Sequence, residues 1–436
     1  MPKELKSITR VRLGVAAALG VVGLALSLLM PSTTHAYPAA QAEAQSDPGQ
    51  DPYGFPNVQL CCEKRSARRS DRTGHSGYYW KDKWRPDTVT VNCGAPTEDR
   101  RVFGSIRDAL DHVTVGGRVQ IIPGAACDIS GLHINRSVRL ETSGYGYGSR
   151  AKLVGGPCAY VGGANGPVAI SGVDIEACLT LQSGQLDLDE VNLAWRGQGP
   201  AIEVNGGVFR AARSTVRARE MALSAPSGAR VILENSRFAT TFEGRHVIRL
   251  SVESVLMSDV LVKGARTGLM IDRVGSSVDL NNVTVVRGEQ DDPYPASDSG
   301  DYGILIGDAA PSQDLPWLSG TESRRVAVRG GLVGGYKSGI SLSASTSGVI
   351  EGVVINDAAY GISVGRASFV KLNGNRINRS KSVGINLEAG ARGSADRNTI
   401  QCTHGDCVCY GGHCTSRSSY VFGSGLFRMT DTDCDD

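Results

Sequence analysis

Net charge is almost absent from this chain. Its 46 Lys+Arg against 44 Asp+Glu leave a formal charge of +2 over 436 residues, so no global field draws it to nucleic acid or to an anionic membrane. Aromatic residues are sparse at 6%, and the 17 prolines are unremarkable. Beyond one N-terminal segment, no hydrophobic run is long enough to span a bilayer. Cysteine is missing between Cys178 and Cys402, so a long middle stretch must hold itself together by packing alone. P-loop, dinucleotide-fingerprint and His-Glu-x-x-His motifs do not occur, which removes the chemistries those motifs serve. Glycine is what the chain has in excess, 55 of 436 residues or about 13% against a usual ~7%. The glycines keep no three-residue period, which excludes collagen. A hydrophobic fraction of 41% with 21% charged residues belongs to a folded, turn-rich protein with material for a sizeable core.

The N-terminus sets the expected compartment. Lys3, Lys6, Arg10 and Arg12 precede an uncharged run from Leu13 to Met30, Pro31 ends it, and Thr34-His35-Ala36 offers small residues around a cleavage point. Residues 1–36 read as a secretory signal peptide, the alternative being an uncleaved anchor, since the apolar run approaches the ~20 residues of a membrane span. The mature protein is expected to be secreted, periplasmic or at the cell surface, with no membrane span after cleavage. Eleven cysteines suit that oxidising compartment. Cys61, Cys62, Cys93, Cys127, Cys158 and Cys178 lie early, and Cys402, Cys407, Cys409, Cys414 and Cys434 lie in the last 35 residues. All are disulfide candidates, and the odd number leaves one over. The C-terminal spacing Cys402-x4-Cys407-x-Cys409-x4-Cys414, flanked by His404 and His413, would also suit Zn²⁺. An exported location favours disulfides that seal the last coil. Residues 37–60 read as a flexible linker. Residues 61–99 form a basic and aromatic Cys-containing segment, and 402–436 a Cys-rich cap with an acidic tail.

Internal repetition carries the fold. Val168-Ala-Ile-Ser-Gly-Val-Asp-Ile175, Leu186-Asp-Leu-Asp-Glu-Val-Asn-Leu193, Val231-Ile-Leu-Glu-Asn-Ser-Arg-Phe238 and Val278-Asp-Leu-Asn-Asn-Val-Thr-Val285 share the pattern apolar-x-apolar-x-turn-x-x-apolar. The closing apolar residue recurs as Ile175, Leu193, Val216, Phe238, Val262, Val285, Val333, Ile355, Ile377 and Ile400, mostly 22 to 24 residues apart. Between these anchors a second pattern repeats: Gly268-Leu-Met-Ile271, Gly303-Ile-Leu-Ile306, Gly339-Ile-Ser-Leu342, Gly361-Ile-Ser-Val364 and Gly384-Ile-Asn-Leu387. Each repeat therefore holds three short strands of alternating polarity separated by Gly- and Asn-rich turns. A strand that recurs once per repeat must pair with its equivalent in the next. The expected architecture is an all-β parallel solenoid of about 11–12 coils of ~22 residues, spanning 100–401. Leucine-rich repeats share the period, but their asparagine-leucine ladder and helical half are missing.

Phe103 to Leu110 has helical spacing and is followed by Gly116-Gly-Arg-Val-Gln-Ile-Ile-Pro-Gly124, a turn, a strand and a second turn. In this opening, and in the repeats, the chain resembles the right-handed parallel β-helix superfamily called pectin lyase-like. The resemblance implies an N-terminal capping helix over the first coil and a polysaccharide as partner. It specifies fold far more strongly than function. The superfamily's enzyme signatures do not match residue for residue. An Asp-Asp pair within the repeats, the lyases' Arg-x-Pro-x-x-Arg and the epimerases' Asp-Pro-His-Asp do not occur.

One interval breaks the period. The 48 residues from Val285 to Val333 contain 12 extra before Gly303 and 13 extra after Ile306. A single coil thus carries two insertions, one on each side of the strand around Leu305. Loops on a rigid scaffold are where sites are built. The first insertion, residues 287–302, holds Asp291, Asp292, Asp301, Tyr294 and Tyr302; the second, 307–325, holds Asp308 and Trp317. Alternation places Leu305 outward with Met270 and Asp272 on the neighbouring coil and Arg249 one coil further back. Asp272, Arg249, Asp301 and Asp308 are the candidate catalytic residues. Tyr294, Tyr302, Trp317, Asp291 and Asp292 are the candidates for substrate binding. No motif demands a cofactor or metal, and Ca²⁺ is the cation that oxygen-rich loops of this kind would suit. His112, His133 and His246 show no spacing that joins them to a nucleophile, and they read as structural.

The expected function is that of an exported β-helix protein which binds, and by one reading cleaves or modifies, a polysaccharide at the cleft between the insertions. As an enzyme it would be a lyase, a glycoside hydrolase or an epimerase. The alternative is a non-catalytic structural or adhesive solenoid using the Ser- and Gly-rich stretch from Ser341 to Gly365. Sequence leaves the oligomeric state open.

Overall fold

The computed structural model describes residues 86–94, 102–144, 149–241, 244–264, 266–288, 301–307, 325–402, 406–411, 413–415, 420–422 and 427–435. The chain divides into the units Met1–His75 and Ser76–Asp436, and every described residue belongs to the second.

Alternation of side chains builds the coil wall. In Gln185–Asp189 the two leucines are buried while Gln185, Asp187 and Asp189 face outward, as a strand with one side on a core requires. Stacked coils form three ladders. The first face runs from His133–Ile134 to Asp406–Tyr410, and the second from Thr88–Val91 to Phe427–Thr430. The third runs from Ala126–Asp128 to Asp433–Asp435 and has 13 strands. Pairing is parallel except at the C-terminal end, where Asp406–Tyr410 meets His413–Thr415, and Tyr420–Phe422 meets Phe427–Thr430, antiparallel. This is the parallel β-helix that the repeats and the resemblance implied. All ten anchors from Ile175 to Ile400 are buried in register at the middle of the third face.

The turn between the second and third faces explains the repeated polar position. Its first residue is left-handed in coil after coil, at Glu190, Arg213, Asn235, Asp259 and Asn282, then at Gly330, Gly352 and Gly374. Where the next residue is polar, it is buried and bonds to the coil before it. Val353 donates its backbone N–H to Asn375 Oδ1 at 3.1 Å, and Asn375 donates to Asn398 Oδ1 at 2.9 Å.

One helix, Ile106–His112, is found among the described residues. The Ser105 hydroxyl caps it by accepting from the Asp108 N–H at 3.1 Å. Its buried Ile106, Ala109 and Leu110 close the first coil. Disulfides join Cys93 to Cys127 and Cys158 to Cys178 across these early coils. Cys409, near the other end, is also disulfide-bonded. Cys61 and Cys62, and the side chains of Cys402 and Cys414, lie outside the described residues. Among the described residues no helix is long and apolar enough to cross a membrane.

Three coils depart from the pattern. In Met221–Glu234, His246–Ser258 and Thr267–Asn281 the strands of the first and second faces run together as single strands of 13 to 15 residues. Their pairing is interrupted by register shifts, and these shifts lie directly beside the coil that carries the insertions.

Candidate functional site

Outward residues of the first face form one row. Glu203, Ser224, Arg249, Met270, Leu305, Ser341, Ser363 and Asn386 pair in succession. The two insertions leave the coil at the borders of this face, before Tyr302–Ile306 and after it. Sequence alternation correctly set Met270 beside Leu305 and Arg249 beside Met270.

Asp272, which alternation sets outward two residues after Met270, lies at an irregularity in the pairing. Leu250 pairs with Ile271 and Ser251 pairs with Arg273, so Asp272 is an extra residue in its strand. Bulges are over-represented next to active sites. Arg249 Nε donates to Asp272 Oδ2 at 2.7 Å across the two coils. The carboxylate is 20% exposed and the guanidinium 52% exposed, so the pair is open to solvent on the arginine side.

His246 completes the group. It begins the strand that carries Arg249, and it pairs with Thr267, which pairs with Tyr302. Its Nδ1 is buried and has no hydrogen-bond partner. Burial, followed by the charge of Arg249, holds the imidazole below the ordinary histidine range; Asp272 opposes them and Arg245 adds to the lowering. A ring that is neutral at neutral pH thus lies within electrostatic range of the Arg249–Asp272 pair. Arg245, Arg266 and Arg273, all exposed, lie on or beside the same strands. The patch offers a proton acceptor next to cations suited to an anionic substrate.

Asp301 is placed differently from Asp272. It is 2% exposed and accepts from Arg287 Nη1 at 3.3 Å. Arg287 and Asp301 lie on either side of residues 289–300, so this pair closes the base of the first insertion. The other carboxylate oxygen, Oδ1, is buried with no hydrogen-bond partner. Beside the pair lies Tyr336, 2% exposed, whose hydroxyl donates to the Gly264 carbonyl at 3.0 Å. Burial pushes that phenol well above its ordinary range. Tyr302 is half-buried at the start of its strand.

The structure therefore brings Arg249 and Asp272 into contact and sets Asp301 inward, against Arg287. Asp308, Tyr294, Trp317, Asp291 and Asp292 lie outside the described residues, as do most of the acidic positions behind the Ca²⁺ expectation. Among the described residues no group of three or more His, Cys, Asp or Glu is arranged to hold a metal ion. His246 is the residue that sequence reasoning passed over as a turn histidine. Alternation gave no signal for it, because it lies three residues before Arg249 and both residues between them, Val247 and Ile248, are buried.

In sequence the chain matches no family model and no curated protein. Solved structures similar in fold include the A-module of the Azotobacter vinelandii mannuronan C-5 epimerase AlgE6, at 14% identity and TM-score 0.37, covering 76% of this chain and 91% of that one. A second is the catalytic domain of a GH87 alpha-1,3-glucanase in complex with nigerose, at 11% identity and TM-score 0.40, covering 80% of this chain and 68% of that one. A third is the A-module of the Azotobacter vinelandii epimerase AlgE4, at 12% identity and TM-score 0.31, covering 74% and 89%.

Proposed function

We propose that this is an exported β-helix protein that binds an anionic polysaccharide along its first face and moves a proton on it at His246, Arg249 and Asp272. The observation that carries the reading is the bond from half-exposed Arg249 to Asp272, at a bulge and within electrostatic range of a neutral histidine. A sugar carboxylate would meet Arg249, with Arg245 nearby. Its negative charge grows when the adjacent C–H is deprotonated, and a guanidinium stabilises that developing charge. His246 is the base that takes the proton, and Asp272 fixes the guanidinium by holding its Nε. In a lyase the proton taken by His246 passes to the neighbouring glycosidic oxygen as that bond breaks and the carbon–carbon double bond forms; in an epimerase His246 keeps it and water delivers a proton to the opposite face. Hydrolysis by two carboxylates is less well supported, because Asp301 is turned inward against Arg287. Export is supported by the N-terminal pattern and by formed disulfides.

The test is a panel of anionic and neutral polysaccharides presented to residues 37–436, with and without Ca²⁺. Binding, reducing ends, unsaturated-uronate absorbance and epimer ratio by NMR would be recorded. Turnover of a uronate polymer that falls about 10²- to 10⁴-fold in His246→Ala, with an unchanged circular dichroism spectrum, is the expected result. Asp272→Asn should lower it less. Full turnover in His246→Ala would overturn the assignment of the base. Binding without turnover would leave a glycan-recognition solenoid, and neither signal would favour the structural or adhesive alternative.

A further inference from the structure

The first face does not end in a plain wall. Between the capping helix and the first coil lies a cavity of about 210 Å³. Buried Leu110, Leu132 and Ile134 form its floor. Arg107, Asp111, His133 and Asn135, all exposed, and half-buried Arg136 stand around it. At the rim itself two guanidiniums stand against one carboxylate, Asp111, and Arg107 also acts on the Asp128 carboxylate. Among the described residues neither arginine is taken up in an ion pair. Arg136 makes one long hydrogen bond, Nη1 to the Val113 carbonyl at 3.5 Å. His133 stacks on Tyr160 of the next coil, with ring centroids 4.9 Å apart and planes 17° from parallel.

These two rings stand in the row that leads to the reacting group. His133 pairs with Tyr160, and the row continues through Thr180, Glu203 and Ser224 to Arg249. Five strand steps of ~4.8 Å set the cavity about 24 Å from Arg249. That step is close to the advance per sugar of an extended polysaccharide, so one unit per coil would carry a chain from Arg249 to the cavity.

We propose that this cavity is a distal subsite for an acidic sugar of the same polysaccharide, with the sugar carboxylate on Arg107 and Arg136 and its ring against the His133–Tyr160 stack. Asn135 and Asp111 supply hydrogen-bonding groups for hydroxyls at the rim. The inference rests on the anionic-polysaccharide reading, and it adds a length requirement. Chains of about six units or more reach both places, and shorter ones reach one.

The experiment is calorimetric titration of the protein with oligosaccharide ladders cut from polygalacturonate and from alginate, disaccharide to octasaccharide, alongside the double variant Arg107→Gln/Arg136→Gln. Arg107 is exposed and Arg136 half-buried, so the variant should fold, and thermal unfolding would check it. For wild type, affinity should rise steeply between the trisaccharide and the hexasaccharide. The variant should lose about tenfold or more on the long oligomers and much less on the short ones, which still bind at Arg249. Tyr160→Ala should flatten the same rise. Wild-type affinity of the double variant for the octasaccharide would overturn the subsite alone, as would an affinity in wild type that ignores length. No binding of any uronate oligomer by wild type would overturn the polysaccharide reading, and the subsite with it.

Discussion

At neutral pH the imidazole of His246 is uncharged because burial and Arg249 both penalise its cation, and Asp272 offsets them in part. Since the folded value lies below the ordinary ~6.5, the folded protein binds fewer protons here than the unfolded chain does. The resulting stability is present above ~6.5 and is lost as the pH falls below it. NMR titration of the His246 ring should show a midpoint below ~6.5. Arg249→Gln should move that midpoint up, and Asp272→Asn should move it further down. A midpoint that falls in Arg249→Gln would mean that the guanidinium does not act on the ring. A second residue shows strain unconnected with chemistry. Ala367 adopts φ +55°, a conformation that costs a residue with a Cβ ~1 kcal/mol or more and glycine almost nothing. Ala367→Gly should therefore raise stability by about 0.5 kcal/mol after the added freedom of the unfolded chain is subtracted. A rise in the denaturant midpoint with an unchanged slope would show it, and a fall would mean that the turn uses the methyl group.

The recurring Gly-x-x-apolar element is a packing device. At Gly268, Gly303, Gly339, Gly361 and Gly384 an added Cβ would run into Val285, Val333, Ile355, Ile377 and Ile400, the anchors of the third face. The two sequence patterns are thus one contact seen from both sides, since each anchor fills the space its glycine leaves. Gly361→Ala would set a methyl 2.7 Å from Ile377 Cγ2 and closer still to the Gly384 carbonyl. It should cost about 2 kcal/mol by overpacking, read as a lower unfolding midpoint; a neutral result would mean that neighbouring coils slide apart with ease. Period and polarity made these strands legible, because an inward position repeats every coil and tolerates few side chains. The bulge was not legible. Val262 and Val285 are 23 residues apart, an ordinary coil, so the extra residue at Asp272 leaves the spacing untouched. Asp301 was equally opaque. A carboxylate in an acidic stretch reads as solvated, and what turns it inward is Arg287, on the other side of the insertion. His246 escaped because its role depends on Asp272, a residue of the next coil, and sequence order gives no distance between them.

Each coil of the whole molecule touches its neighbours and little else, so stability is distributed along the axis and can be lost from one end. The ends are treated differently from the middle. Two disulfides, with sequence separations of 34 and 20, tie the coils under the distal cavity. The stretch from Gln182 to Gln401 holds no cysteine. Each early bridge contributes about 3 to 4 kcal/mol by restricting the unfolded chain. The first few coils bury their core against the capping helix on one side, and they have the fewest neighbours to lean on. Under a reductant, hydrogen exchange should therefore rise in Thr88–Leu181 and around Cys409, while the coils from Leu186 to Lys263 keep their protection. Uniform loss of protection would show that the solenoid unfolds as one unit and that the bridges act on all of it. Because the proposed distal subsite is built on the bridged coils and the reacting group on the unbridged ones, reduction should separate the two functions. Affinity for long uronate oligomers should fall toward that of the short ones, and turnover of short oligomers at His246 should persist.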